Sequence, residues 1–421
     1  MTINTKEIQD VQSPILDTRG ILETLAYDPK YFENNPEEKE AYGLHWGQRK
    51  LLLSEIQFLA QHLDKLKYVI YAGAAPGNKA FWLSQLFPSI KFILVDPVPF
   101  QMYLDDGKVH RWVKHPDIVH LTVSKTKSQN RIKSNYYSFM ANRSVSYDAR
   151  RPNDLNKVSG VKLTNMIKNT NYKVYVIEDL FTDSLAEKLK KLGDSLFISD
   201  IRSFTPSHGN KSGEITDLSI MWDMCQQMIW MKILNPVYSM VKFRGMYYDD
   251  VSQNAVKAYN EHDPRMQNLR SVFDSAKIFG IDFISNYGKK IIEYFPGTQN
   301  IQAWAPHKSG EVRLHISREN LKTHHVYDQV AHDDSMFWFN IKHRPWVACH
   351  NPAASKQIGF DHCQDCALEC EIWKAYLIWS NKQVSNRSIQ KLVQDANKNL
   401  RKSLKRGGHG HMFPSTSFAS K

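Results

Sequence analysis

The sequence predicts an α/β protein of Rossmann-like type, a mostly parallel sheet with helices on both faces, and three observations carry that expectation. Short apolar runs alternate with helical periodicities through the middle of the chain. Two of those runs end on aspartates, Asp96 and Asp200. Between the first run and the helix after it lies the turn Gly73-Ala74-Ala75-Pro76-Gly77, where glycines let a backbone approach a bound molecule.

The elements follow in order. Leu52, Ile56, Leu59, Leu63 and Leu66 recur at spacings of four and three, which predicts an amphipathic helix with Lys50 near its start. Tyr68-Val69-Ile70-Tyr71-Ala72 is short and apolar enough for a buried strand, and the glycine turn separates it from a helix over Lys79 to Leu86. A second strand, Phe92 to Val95, ends on Asp96. The alternation resumes with a strand at Lys173 to Ile177, a helix at Ser184 to Leu192 and a strand at Leu196 to Ser199 ending on Asp200. A long helix from about Ile215 to Leu234 and a strand at Val237 to Phe243 complete it. Lys290 to Tyr294 and Val312 to Ile316 are expected as the antiparallel edge that such sheets often carry.

With 421 residues the chain is long for one ordinary domain, and a typical domain length suggests roughly two to three. Its 42% hydrophobic and 23% charged residues are those of a soluble globular protein. No apolar run has the length of a membrane span, and Met1 to Pro14 lacks the apolar segment of a secretory signal, so a cytosolic setting is expected. Basic residues outnumber acidic ones by 55 to 43, which favours a polyanionic partner. The excess is concentrated: Leu121 to Thr170 holds ten basic residues against Asp148 and Asp154. That stretch also carries Tyr136, Tyr137, Phe139 and Tyr147, so it reads either as a surface that tracks single-stranded nucleic acid or as a solvated insertion. The tail 401–421 is basic and rich in glycine and serine, a composition expected to be disordered. Five cysteines, an odd number, are no disulfide framework. Cys349, Cys363, Cys366 and Cys370 could close a zinc site, but the helical pattern around the last two favours buried thiols, and Cys225 reads as core.

The glycine turn is not a phosphate loop, since Gly77-Asn78-Lys79 lacks the Gly-Lys-Ser/Thr ending, and its spacing is not the dinucleotide fingerprint. Asp96, about twenty residues beyond it, stands where a carboxylate accepts both hydroxyls of an adenosine ribose. Together these favour an adenosine-containing cofactor, with S-adenosylmethionine ahead of dinucleotides. Lys50, Asp200 and Lys242 fall on the same rim of the expected sheet.

Several blocks resemble one family: Gly47-Gln48-Arg49-Lys50-Leu51-Leu52-Leu53, Tyr71-Ala72-Gly73-Ala74-Ala75-Pro76-Gly77, Ile198-Ser199-Asp200-Ile201-Arg202-Ser203, Ile233-Leu234-Asn235-Pro236-Val237, Lys242-Phe243-Arg244, and Ala305-Pro306 with Glu311-Val312-Arg313-Leu314. In this order they are similar to the poxvirus cap-specific mRNA (nucleoside-2'-O-)-methyltransferases, which double as the regulatory subunit of a poly(A) polymerase. The resemblance implies a class I S-adenosylmethionine-dependent fold and a catalytic tetrad of Lys50, Asp200, Lys242 and Glu311. It assigns Gln48, Tyr71, Gly73, Ala75, Pro76, Gly77, Asp96, Phe181 and Asp200 to the cofactor. Tyr27, Arg244, Tyr247, Asp249, Ser309 and Asp328 fall to the methylated cap and its RNA. Tyr247 keeps the ring of the family's phenylalanine, whereas Val98 stands where the family has an arginine.

Capped mRNA and a viral poly(A) polymerase catalytic subunit are the implied partners, and the cytoplasm of an infected host, its viral factory and the virion the implied locations. The division that follows is 1–44 as an N-terminal segment of the cap pocket, 45–340 as the methyltransferase domain with a basic insertion at 104–170, 341–400 as a C-terminal helical extension, and 401–421 as the tail. Within the tetrad Lys242 is the expected base, Asp200 its orienting partner, and Lys50 with Glu311 the pair that positions the 2'-hydroxyl. No metal is implied.

Overall fold

The computed structural model describes residues 47–104, 109–110, 115–123, 156–158, 160–201, 212–245, 280–306, 309–344 and 364–404, with isolated positions between 253 and 277. The strands are β1 Tyr68–Ala72, β2 Lys91–Val95, β3 Met102–Tyr103, β4 Val109–His110, β5 Ile118–Val123, β6 Asn156–Val158, β7 Val174–Ile177, β8 Leu196–Ser199, β9 Tyr238–Phe243, β10 Ile291–Tyr294, β11 Thr298–Asn300, β12 Val312–Ser317 and β13 His325–Asp328. The helices are α1 Gly47–His62, α2 Ala80–Leu86, α3 Gly160–Asn169, α4 Asp183–Lys190, α5 Ser212–Leu234, α6 Phe283–Gly288, α7 Gln329–Trp338, α8 Gln364–Trp379 and α9 Asn386–Leu404.

The main sheet runs in the order β11-β12-β9-β8-β1-β2-β7-β5-β6. Every pair from β9 to β6 is parallel, and the antiparallel strands β12 and β11 close the other edge. The α/β architecture and its mostly parallel sheet are therefore those expected from the sequence. One edge strand is not. Val312–Ser317 takes the edge position, but Ile291–Tyr294 leaves the sheet and pairs with β13, and the outermost strand is the short Thr298–Asn300. The reason lies in the pattern of β10, whose residues are buried alternately, as suits a two-stranded ribbon with one covered face rather than a sheet covered on both sides.

The stretch 104–170, expected as an insertion that interrupts the fold, instead supplies β5, β6 and α3. Ile118, Val119 and Leu121 of β5 are buried, but the equally buried His120 breaks the apolar run and hides the strand from periodicity. Lys162 and Lys168 are exposed on α3, while Lys125, Lys127, Arg131, Lys133, Arg143, Arg150 and Arg151 lie outside the described residues.

Successive strand residues point to opposite faces, so β1 sends Ile70 and Ala72 into one core and Val69 and Tyr71 into the other. The first core is covered by α3, α4 and α5 through Leu163, Leu185, Met224 and Trp230, and it also encloses Cys225. The second is covered by α1, α2, α8 and α9 through Ile56, Phe81, Trp373 and Val393. Within the expected helical extension 341–400, α8 and α9 form part of a covering layer, and Cys370 packs partly buried against it outside any disulfide. The expected tail 401–421 begins inside α9, which runs to Leu404; its residues from 405, Cys349 and Cys363 lie outside the described residues, as does the side chain of Cys366. Among the described residues no helix is long and apolar enough to cross a membrane.

Candidate active site at the carboxyl ends of the strands

The chain leaves β1 toward β2 on one side, while β8 occupies the other side of β1. Loops that diverge in this way open a crevice at the strands' carboxyl ends, the usual ligand position in open α/β sheets. Gly73 sits at that point with φ +76°, and a Cβ there would lie 2.7 Å from the Ile201 backbone nitrogen. Only glycine lets the loops after β1 and β8 approach so closely. Gly77 is similar, with φ +69° and a Cβ position 2.5 Å from the Phe100 ring. The Pro76 carbonyl between them accepts from the Gln101 amide at 2.7 Å.

Asp96 follows β2 directly. Its Oδ2 accepts from the Ala75 amide at 3.0 Å and its Oδ1 from the Val98 amide at 2.8 Å. A carboxylate has about four lone-pair sites, so each oxygen keeps acceptor capacity for a ligand hydroxyl. Burial pushes this carboxyl up to about 6, against the opposing pull of the two amides.

Beside this turn lies a row of five charged side chains. Lys50 Nζ in α1 is 3.3 Å from Glu311 Oε1, and the same oxygen is 3.5 Å from the Arg313 guanidinium. Arg313 donates at 2.6 Å to Asp200 Oδ1, which also receives Lys242 Nζ at 3.0 Å. Lys242 further donates to the Asp200 carbonyl at 3.2 Å. Strand register explains the meeting: Arg313 of β12 is directly opposite Lys242 of β9, and Ser199, just before Asp200, is opposite Val241. Gln227 of α5 fixes the backbone there by donating to the Lys242 carbonyl at 3.0 Å.

Burial alone would push the Asp200 carboxyl up, but Lys242 and Arg313 outweigh it and hold it at about 2. For Lys50 burial prevails and lowers the pKa of the amine below the ordinary lysine value, with Glu311 opposing. Arg313, 2% exposed, stays a guanidinium because Asp200 and Glu311 overcome its burial.

Sequence reasoning gives Arg313 no role, although it is central to the row. Its signal was alternation, since Glu311 and Arg313 are two residues apart and share one face of the strand. Glu55 and Lys79 were missed as well. Glu55 lies under the turn, accepts from the Tyr71 hydroxyl at 2.7 Å and pairs with Lys79 Nζ at 2.9 Å. Burial pushes the Glu55 carboxyl up, with Lys79 and Tyr71 opposing. A carboxylate on the apolar side of a predicted helix was the available clue.

The remaining expected residues divide. Gln48 is half-buried one residue from the start of α1, and Arg244 follows β9 directly, so both stay near the row. Ser309 orders the loop before Glu311, its hydroxyl accepting from the Glu311 amide at 3.2 Å. Tyr71 turns its ring into the second core and gives its hydroxyl to Glu55. The Phe181 ring is buried against Phe197 and Trp230 in the first core. Asp328 acts locally and caps α7, accepting from the Ala331 amide at 2.9 Å. Tyr27, Tyr247 and Asp249 lie outside the described residues.

Comparison with protein-family models found none that matches the chain, and comparison with curated proteins found no match either. Chemically, the rim offers a buried carboxylate with acceptor capacity to spare, a glycine turn closed tightly against the next loop, and two lysines at opposite ends of an ion-paired row. Such a set can bind an adenosine-type group and move a proton at a neighbouring hydroxyl.

Proposed function

We propose that this chain is an S-adenosylmethionine-dependent RNA (nucleoside-2'-O-)-methyltransferase acting on the first transcribed nucleotide of N7-methylguanosine-capped mRNA. One observation carries the reading: Lys50, Glu311, Arg313, Asp200 and Lys242 form a continuous ion-paired row beside the Gly73 turn. The sequence resemblance supplies the reaction class. The residues suit the cofactor, because Asp96 retains acceptors for ribose hydroxyls and Gly73 lets the loop that carries Asp200 close against the turn.

S-adenosylmethionine, when bound, supplies an electrophilic methyl group. Lys242 takes the proton from the ribose 2'-hydroxyl as that oxygen becomes a nucleophile. Asp200 accepts from Lys242 Nζ through its carboxylate and its carbonyl, which in the free amine engages two N–H bonds and leaves the lone pair for the hydroxyl proton. Lys50 and Glu311 hold the sugar at the other end of the row, and Arg313 keeps the two carboxylates at a fixed separation. A guanine methylated at N7 is cationic, so the rings of Tyr27 and Tyr247 with the Asp249 carboxylate would select it over unmethylated guanine.

The test is transfer of labelled methyl from S-adenosylmethionine to capped RNA by the whole protein. Transfer to the 2'-oxygen of N7-methylguanosine-capped RNA and none to uncapped RNA is expected. Absence of transfer, or undiminished transfer by Lys242→Ala, overturns the reading.

A further inference from the structure

Helix α9, Asn386–Leu404, takes no part in the reaction described above, yet its sequence is one-sided. Ile389, Val393, Ala396 and Leu400 are buried in the second core, which fixes the rotation of the helix. On the opposite side Arg387, Lys391 and Lys398 are exposed, with exposed Gln394 between them. Steps of four, three and four residues keep all four within a narrow arc of a 3.6-residue helix. The three cations extend over about 16 Å of its length. None of them makes an ion pair or hydrogen bond among the described residues. Asp395 is the one acidic residue of the helix, and it lies off the exposed arc.

The position of this stripe matters as much as its charge. Asn397, next to Lys398, accepts a hydrogen bond from the Arg49 guanidinium. Arg49 precedes Lys50 in the first turn of α1, so one end of the stripe is pinned to the helix that carries Lys50, the first member of the row. A series of exposed cations on one helix face, with one end tied to the helix of Lys50, has the charge of a phosphate track.

We propose that Arg387, Lys391 and Lys398 form a rail for the phosphate backbone of the RNA chain downstream of the nucleotide at the Lys50–Lys242 rim. The direction of that chain rests on the function proposed above. Backbone contacts of this kind carry no sequence preference. The rail therefore serves long substrates and is idle with very short ones.

The experiment compares the wild-type protein with Arg387→Gln/Lys391→Gln/Lys398→Gln. These side chains are exposed, so an unchanged melting temperature is expected and serves as the control for folding. Binding of a single-stranded RNA of about 20 nucleotides is measured by fluorescence anisotropy across a salt series. The slope of log affinity against log salt is expected to fall by about 2, at about 0.7 per phosphate contact removed. KM for long capped RNA should rise several-fold, while KM for a capped dinucleotide and both kcat values stay as they were. A wild-type salt slope in the variant overturns the rail, as does an equal change in KM for long and short substrates. Loss of binding to phosphatidylserine vesicles with RNA binding intact also overturns it and assigns the face to a membrane surface. Should the wild type transfer no methyl, the salt slope still decides the rail on its own, so the two failures are distinguishable.

Discussion

Two ionic clusters meet on helix α1, and the neighbouring residues Arg49 and Lys50 belong to different ones. Arg49 is 1% exposed and pairs through two nitrogens with the Glu369 carboxylate of α8, which also accepts from the indoles of Trp304 at 2.7 Å and Trp373 at 3.1 Å. Close by, Asp365 accepts from the Trp304 amide at 2.9 Å and from Arg344 at 2.7 Å. This cluster is sealed, with each carboxylate bound by fixed donors from elements far apart in sequence. The row from Lys50 to Lys242 uses the same chemistry, but its terminal lysines retain 12% and 14% exposure on the rim at the strands' carboxyl ends. The difference teaches that a constellation of charges becomes a candidate site through access and position, at the strands' carboxyl ends, while the sealed one ties covering helices to the core.

The comparison breaks first at Lys242. Lys242→Ala is expected to lower methyl transfer by about 10²–10⁴-fold, the usual contribution of a positioned proton acceptor, with little change in melting temperature. Glu369→Ala should do the reverse, destabilising by about 3–5 kcal/mol because it leaves the Arg49 guanidinium buried without its carboxylate. Denaturant unfolding measures this directly. Replacing both partners with apolar residues, Arg49→Met with Glu369→Leu, should recover part of the loss, since a buried pair is often no better than good apolar packing, while the Trp304 and Trp373 indoles lose their acceptor. If Glu369→Ala were stable but inactive, the sealed cluster would belong to the chemistry and the contrast would collapse.

Gly73→Ala sharpens the contrast from the cofactor side. The new methyl would sit 2.7 Å from the Ile201 amide nitrogen at φ +76°, so the loops after β1 and β8 must separate. A loss of about 1–3 kcal/mol in stability is expected. Weaker S-adenosylmethionine binding by calorimetry should accompany it. Native stability and affinity in Gly73→Ala would mean that the crevice is wider than its backbone geometry states.

Much of this was legible beforehand, and the misses have physical causes. The parallel core strands show in sequence because burial on both faces makes them continuous apolar runs, as in Tyr68–Ala72 and Leu196–Ser199. Lys50, Asp200 and Lys242 lie at element ends, where a charge beside an apolar run is conspicuous, whereas Glu311 came from the family resemblance alone. β5 was hidden by the buried His120, and β11 by its length of three residues. Arg313 shares a strand face with Glu311, but its pairing with Asp200, like that of Glu369 with Arg49, was opaque for another reason. Their partners are 113 and 320 residues away, and only strand register and helix packing bring them together. Nothing local in a sequence reports such pairings.

The two aspartates of the rim give the finest test, because their surroundings drive them in opposite directions. Asp200 is held at about 2 against an ordinary value of 3.8, so its ion pairs stabilise the fold above about pH 4 and are lost as the pH falls toward 2. Asp96 is raised to about 6, so between about pH 4 and 6 the folded protein binds a proton that the unfolded chain has released. Stability contributed by Asp96 therefore falls as the pH rises through that window. Cofactor binding should run the other way, since ribose hydroxyls donate more strongly to an ionised carboxylate. Affinity for S-adenosylmethionine is then expected to increase up to about tenfold per pH unit below 6 and to level off above it. In Asp96→Asn both the stability slope between about pH 4 and 6 and this rise in affinity should disappear, with the acid limb set by Asp200 unchanged. Persistence of the affinity rise in that variant would place the titrating group elsewhere and remove Asp96 from the ribose.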